Sequence, residues 1–343
     1  LVLYGQGAAA ADYNNDGFED LLVTAYRRTV LLANMGDGTF RDVSEEAGVT
    51  NTRWSTSAGF ADLDLDGDLD FYAACYAIVS AEKPRVCQKS GVRMHCLPQV
   101  FESEPDLLYR NLGDGRFEEC SVESGIEDDR GRGLGLAIAD FNRDGLPDIF
   151  VSNDTTENYL FVNQGGFKFK EQAVTCGAAL TGEGSTMSGM GVTCADYDAN
   201  GYLDNFVCNF YEEKNVLFEN LGGDGFVDSS DALGLAHTSR DKLTFGCAFL
   251  DADLDGYPDL FVANGHVSDL TALGVPYRMR PQIYRNLAGK RFVDQSSVAG
   301  LYFHRQFIGR GCAVADWNND GLPDLVVSHI RDQAALLVNS TKP

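Results

Sequence analysis

Positive charge is scarce in this sequence. Its 343 residues hold 27 lysines and arginines against 51 acids, a net charge of −24. Phosphate backbones are bound through a basic footprint, so nucleic acid is excluded as a partner. No apolar run approaches the length of about 18 residues at which a membrane-spanning helix is suspected. No signal peptide is seen, and Leu1 in place of Met is consistent with removal of one. The nine cysteines form no C-x-x-C pair, which disfavours zinc and thioredoxin-like chemistry. Neither G-x-S-x-G nor H-E-x-x-H occurs. The five histidines, at 95, 237, 266, 304 and 329, are scattered. Nothing here marks an enzyme, so no catalytic residue is assigned.

What the sequence has in abundance is one acidic stretch, first met as DYNNDGFED from Asp12. An EF-hand loop would end in a bidentate glutamate at position 12. That position is Val23, inside the apolar, β-branched run LLVTAY, which reads as a strand. EF-hand is therefore rejected in favour of a shorter loop, D-x-[DN]-x-[DN]-G-x-x-D, between two strands. It recurs from Asp62, Asp140, Asp196, Asp251 and Asp316, at spacings of 50, 78, 56, 55 and 65 residues. Repetition on this scale signals a repeat architecture.

A second motif follows each loop: NMGDGTF at Asn34, NLGDGRF at Asn111, NQGGFKF at Asn163, NLGGDGF at Asn220, NLAGKRF at Asn286, and a truncated NSTKP at Asn339. Asn and Gly between apolar runs signal a β-hairpin. Each repeat thus reads strand, acidic loop, strand, connection, strand, hairpin, strand. Four short antiparallel strands per repeat describe a β-propeller blade, and the expected fold is an all-β propeller with six visible blades. The repeats run from end to end, so one domain is expected over 1–343. Long insertions fall at about 77–105 and 265–281.

The loops have the chemistry of calcium sites, because calcium takes six to eight hard oxygen ligands. Positions 1, 3, 5 and 9 offer side-chain oxygens, and position 7 offers a backbone carbonyl. The first copy supplies Asp12, Asn14, Asp16 and Asp20, with the carbonyl of Phe18. The second supplies Asp62, Asp64, Asp66 and Asp70, with Asp68 at position 7. The third has Asp140, Asn142, Asp144 and Asp148, with Leu146; the fourth has Asp196, Asp198, Asn200 and Asp204, with Tyr202. The fifth has Asp251, Asp253, Asp255 and Asp259, with Tyr257; the sixth has Asp316, Asn318, Asp320 and Asp324, with Leu322. Position 6 is glycine throughout and permits the turn. Twenty of the 51 acids occupy positions 1, 3, 5 and 9. Six divalent ions would add +12 to −24 and leave −12, so the acidity is mostly a property of these sites. About six calcium ions are expected, in a stabilising role.

Cys87 and Cys96 lie close together between Pro84 and Pro98, and a local disulfide is expected there. Cys247 and Cys312 sit in one phase of a first strand, four residues before the acidic loop, and read as small buried hydrophobes.

These residues resemble FG-GAP/VCBS propeller repeats, best known from integrin α-subunits. More closely they resemble the ASPIC/UnbV-containing family, the secreted bacterial relatives of cartilage acidic protein. The stretches that carry the likeness are LLANMGDGTFRDVSEEAGV, VCQKSGVRMHCLPQ and LTFGCAFLDADLDGYPDLFVANGHV. The resemblance implies seven blades and a following ASPIC/UnbV domain, so one blade is expected upstream and that domain downstream. It implies a secreted, periplasmic or cell-surface location.

Both insertions join second to third strands, on the face opposite the acidic loops. They carry Arg85, Arg93, Arg278 and Arg280, a basic patch on an acidic chain. The leading expectation is a binding or scaffold module that docks another protein there, as part of a larger extracellular or envelope assembly. A glycan-binding propeller ranks second, because Trp54 and Trp317 share no repeat offset. An enzyme or biosynthetic accessory subunit with a site in the long loops ranks third.

Overall fold

A computed structural model describes residues 3–341. The fold class is all-β, made of β-propeller blades, with short helices of three or four residues. In each blade the acidic loop joins the first strand to the second. Blade 1 comprises Gly5–Ala11, Asp20–Ala25, Arg28–Asn34 and Phe40–Asp42; blade 2, Ser55–Ala61, Asp70–Cys75, Leu107–Asn111 and Phe117–Glu119; blade 3, Gly133–Ala139, Asp148–Asn153, Tyr159–Asn163 and Phe169–Glu171. Blade 4 comprises Val192–Ala195, Asp204–Val207, Val216–Asn220 and Phe226–Asp228; blade 5, Thr244–Leu250, Asp259–Asn264, Gln282–Asn286 and Phe292–Asp294. Blade 6 has three described strands, Gly309–Ala315, Asp324–His329 and Ala335–Leu337. All pairings are antiparallel, in strand order one to four.

The blades fall into two compact units. The first holds the chain up to Glu82 and Pro98–Leu180, with blades 1 to 3. The second holds Lys83–Leu97 and the chain from Thr181 onward, with blades 4 to 6. Lys83–Leu97 comes from the first insertion. It forms a small hairpin, Cys87–Lys89 with Val92–Met94, closed by a Cys87–Cys96 disulfide. The sequence assigns this segment to blade 2, yet it is part of the second unit.

Within each unit, hydrophobic clusters lie between neighbouring blades. In the first, Leu22, Leu31, Phe71, Tyr109 and Phe117 join blades 1 and 2, with Phe71 stacked on Tyr109 at 4.5 Å between ring centroids. In the second, Ala248, Phe261, Phe303, Leu325 and Val327 join blades 5 and 6. First strands lie side by side, and hydroxyls tie neighbouring blades together. The Thr24 hydroxyl donates to the Thr56 carbonyl at 2.9 Å, and the Thr56 hydroxyl to the Gly133 carbonyl at 2.7 Å. Small residues are required there: a Cβ on Gly246 would stand 2.1 Å from the Arg310 carbonyl oxygen of the next first strand. Cys247 and Cys312 lie on these strands and are half-buried rather than buried.

One of the buried acids of the first unit lies outside the acidic loops. Asp106 is buried beside the third strand of blade 2, where it accepts hydrogen bonds from the Tyr72 hydroxyl at 2.5 Å and the Cys75 amide at 2.6 Å. Burial pushes its carboxyl up to about 7, against which those two donors act only in part. In the unfolded chain it titrates near 3.8. Between these values the folded protein binds a proton that the unfolded chain has lost, so stability falls as pH rises from about 4 to about 7. Asp106→Asn is expected to flatten this dependence by about 2–4 kcal/mol, read as the difference between wild-type and variant urea titrations at pH 5 and pH 8.

Candidate metal centre

The six acidic loops share one backbone path. In each, the residue before position 1 pairs with the position 9 aspartate, as Ala11 with Asp20 and Leu250 with Asp259. Between them the chain visits the left-handed region twice. Position 6 is glycine at φ 84° to 96°. Position 4 does the same without glycine, at Asn15, Leu65, Arg143, Ala199, Leu254 and Asn319, with φ 56° to 62°. A non-glycine residue there is strained, and six equivalent copies mean that the surrounding bonds impose it.

Those bonds come from the acids. The position 1 carboxylate accepts the amides of positions 5 and 6 in all six loops, as Asp12 does from Asp16 at 3.0 Å and Gly17 at 2.7 Å. The same pair is made by Asp62, Asp140, Asp196, Asp251 and Asp316. The position 5 side chain accepts the amide of position 7, so Asp16, Asp66, Asp144, Asn200, Asp255 and Asp320 hold Phe18, Asp68, Leu146, Tyr202, Tyr257 and Leu322. At position 3, Asn14, Asn142, Asp198 and Asn318 also accept from position 5.

Position 9 differs, because it is buried. Asp20, Asp70, Asp148, Asp204, Asp259 and Asp324 each accept the amide of the hairpin asparagine that ends or follows the third strand, at 2.7–2.8 Å. Burial, aided by the neighbouring acids, pushes Asp70, Asp148 and Asp204 up to about 7 and Asp259 to about 6, and raises Asp20. Without a counter-charge the loops therefore hold their acids under mutual repulsion.

Three loops gather three carboxylates with ligand atoms within 4.8 Å of one another: Asp62, Asp64 and Asp70; Asp196, Asp198 and Asp204; Asp251, Asp253 and Asp255. In two of them an oxygen is left over. Asp64 Oδ1 and Asp253 Oδ1 are buried and accept no hydrogen bond. A buried, unpartnered carboxylate oxygen among other carboxylates fits a hard cation. The donor set is all oxygen, which fits calcium and disfavours zinc, copper and iron.

Two features here were not anticipated from sequence. The first concerns Arg110 and Arg285, which precede the hairpin asparagines of blades 2 and 5. Arg110 pairs with Asp64; Arg285 pairs with Asp253 at 2.6 Å and Asp255 at 3.4 Å. They occur in the two loops with aspartate at both positions 3 and 5, and each offsets the extra carboxylate. The coincidence of that loop with an Arg-Asn dipeptide was the available signal.

The second concerns the hairpin asparagines. Asn111 donates through Nδ2 to the Leu69 carbonyl of its own loop at 3.1 Å and to the Tyr13 carbonyl of blade 1 at 2.9 Å. Asn163 reaches the Leu63 carbonyl of blade 2, Asn286 the Tyr197 carbonyl of blade 4, and Asn339 the Ala252 carbonyl of blade 5, each at 2.8 Å. Each carboxamide oxygen also accepts the amide of the hairpin turn, from Gly113, Gly165, Gly289 and Thr341. These asparagines clamp loop, hairpin and neighbouring blade together.

The four arginines of the insertions all lie in the second unit and are exposed. Arg278 pairs with Asp332 and donates to the Gln306 carbonyl. The two insertions meet where the His95 amide donates to the Ser268 hydroxyl at 2.9 Å.

Residues 12–73, 100–151 and 140–207 match the FG-GAP-like repeat. Over 336 residues the chain is 24% identical to cartilage acidic protein 1 of Xenopus tropicalis, covering 94% of this chain and 48% of that one. Over 174 residues it is 30% identical to cartilage acidic protein 1 of Mus musculus, covering 48% of this chain and 26% of that one. The chain thus spans about half the length, or less, of these relatives. In structure it is similar to a lectin of Agrocybe aegerita that recognises non-reducing terminal N-acetylglucosamine, with TM-score 0.52 and 16% identity over 99% of this chain and 81% of the lectin. At that identity the likeness concerns the fold.

Proposed function

We propose, for a chain that carries FG-GAP-like repeats and is homologous to cartilage acidic protein 1, a calcium-stabilised protein-interaction module that works outside the cytoplasm. Each acidic loop holds one calcium ion, through positions 1, 3, 5 and 9 and the carbonyl of position 7. The ion supplies positive charge that cancels the repulsion among the carboxylates. Among the described residues no helix is long and apolar enough to cross a membrane. The Cys87–Cys96 bond suits an oxidising compartment.

The observation that carries the docking role is the joining of the two insertions in one unit. A disulfide-bonded hairpin brings Arg85 and Arg93 into the unit that holds Arg278 and Arg280. Four exposed arginines in one unit, on a chain of net charge −24, offer charge of the opposite sign, suited to an acidic partner. Changing all four to glutamate is expected to slow association with the partner at least tenfold at low salt, and to leave calcium-dependent melting unchanged. Surface plasmon resonance with partners recovered from native secreted material reads the first, calorimetry the second. Unchanged association, or binding lost only with Asp64→Asn and Asp253→Asn in an intact fold, would move the docking surface to the calcium loops.

A second reading has one observation in its favour. Tyr26, Trp54 and Tyr76 form a half-buried aromatic row in the first unit, with centroids 5.5 and 5.1 Å apart. The Trp54 indole nitrogen has no hydrogen-bond partner. Such a row suits a sugar face, and loss of glycan-array binding on Trp54→Ala is the outcome that distinguishes it.

A further inference from the structure

Among the described residues of the second unit, Arg310 has no carboxylate partner. It lies half-buried in the first strand of blade 6, its guanidinium 4.2 Å from the Phe245 ring centroid. Its hydrogen bonds go to main-chain carbonyls: Nη1 donates to Gly309 at 2.7 Å and Gly265 at 3.1 Å, and Nη2 to His266 at 3.4 Å. These bonds fix the group but leave its positive charge unneutralised, which is costly in a half-buried place.

Two histidines lie near it. His266 is buried, its ring edge-on to Phe210 and Tyr211, with Nδ1 held by the main chain of Ser268 at 2.8–3.0 Å. His95 is exposed and is linked to His266 through Ser268. Its Nδ1 lies 2.8 Å from the Ser268 hydroxyl, and its neighbour Cys96 carries the disulfide. Burial holds both histidines below their ordinary range, and the Arg310 charge adds to it. Among the described residues none of the three forms an ion pair with a carboxylate.

We propose that Arg310, His95 and His266 form a binding site for a carboxylate, supplied by a glutamate or aspartate side chain of a partner protein. The inference rests on the reading of the insertions as the docking face and names the chemistry they recognise. Guanidinium and imidazole groups backed by an aromatic ring suit a planar anion, and a charge-assisted bond to the unused Arg310 donors would supply the missing neutralisation. A side chain is favoured over a chain end by depth. Arg310 is half-buried and His95 exposed, so a methylene stem lets the carboxylate pass while the partner's main chain stays outside. The disulfide pre-orders His95, which reduces the entropy cost of binding.

The test uses the intact, oxidised chain in calcium and three tripeptides. Acetyl-Ala-Glu-Ala-amide carries only a side-chain carboxylate, acetyl-Ala-Gln-Ala only a terminal one, and acetyl-Ala-Gln-Ala-amide neither. Binding is read from the His95 ring signals in NMR, assigned with His95→Gln. The glutamate peptide is expected to give a saturable shift and to bind about tenfold more tightly than the neutral peptide. Arg310→Gln is expected to abolish that difference, and Arg310→Lys to weaken it. Equal shifts from all three peptides, no shift from any, or a shift from the chain-end peptide alone overturns the proposal, and these comparisons need only wild-type protein. If the glutamate peptide binds but the four-arginine variant holds its partner normally, the docking face is wrong and the carboxylate site stands. If that variant loses its partner while the tripeptides do not bind, the reverse holds.

Discussion

Removing divalent cations with a chelator is expected to lower the melting temperature by on the order of 10 °C, fully reversed by calcium. The estimate follows from the loops. Extracellular calcium modules bind at about 10⁻⁴ to 10⁻³ M, and at about 1 mM calcium each such site stabilises by about 0.4–1.4 kcal/mol. Each unit holds three loops. Their combined contribution is then about 1–4 kcal/mol per unit, worth about 3–15 °C for a unit of this size. Calorimetry with and without chelator measures the shift. Isothermal titration should count close to six ions. A melting curve that ignores chelation, or that zinc restores as well as calcium, rejects calcium as the resident ion.

The second large effect concerns an uncharged residue. Asn111→Ala is expected to cost about 3 kcal/mol, and Asn286→Ala a similar amount. Each substitution removes two donors and one acceptor, and strands main-chain groups in a buried place. Asn34→Ala provides the comparison. Its carboxamide donates to the Glu19 carbonyl and accepts from Gly36, with no bond to another blade among the described residues. Its cost should be nearer 1 kcal/mol. Urea titrations of the three variants in saturating calcium decide the matter. Equal costs at 34 and 111 would show that the bond to the Tyr13 carbonyl contributes nothing.

These asparagines also show where the sequence stops being informative. Asn-Leu-Gly-Asp-Gly is sufficiently explained as a turn, so nothing in it points to a carbonyl on the neighbouring blade. The acidic loops were legible because alternating acids ahead of a glycine have few other uses, and six copies reinforce one another. The left-handed position 4 was not, since Leu65, Arg143, Ala199 and Leu254 carry no preference for that conformation. The disulfide could be read from two nearby cysteines in a proline-flanked loop. The membership of Lys83–Leu97 in the second unit could not, because strand order alone attaches it to blade 2. Asp106 and Arg310 are invisible for a related reason. A single buried charge has no periodicity, and only its surroundings reveal it.

The hairpin around Cys87 and Cys96 is made long before its binding place exists. His95 contacts Ser268, 173 residues further along the chain. At about 5–20 residues per second, a ribosome takes about 10–30 s to cover that distance. By the end of that interval blades 1 to 4 have all been synthesised, while the fifteen residues of Lys83–Leu97 wait for their place in the second unit. The local disulfide, joining cysteines only nine residues apart, can close in that time without any help from the rest of the fold. The hairpin would then arrive at its destination already shaped. Any chain cut short near residue 180 would lack the rest of the unit in which it docks.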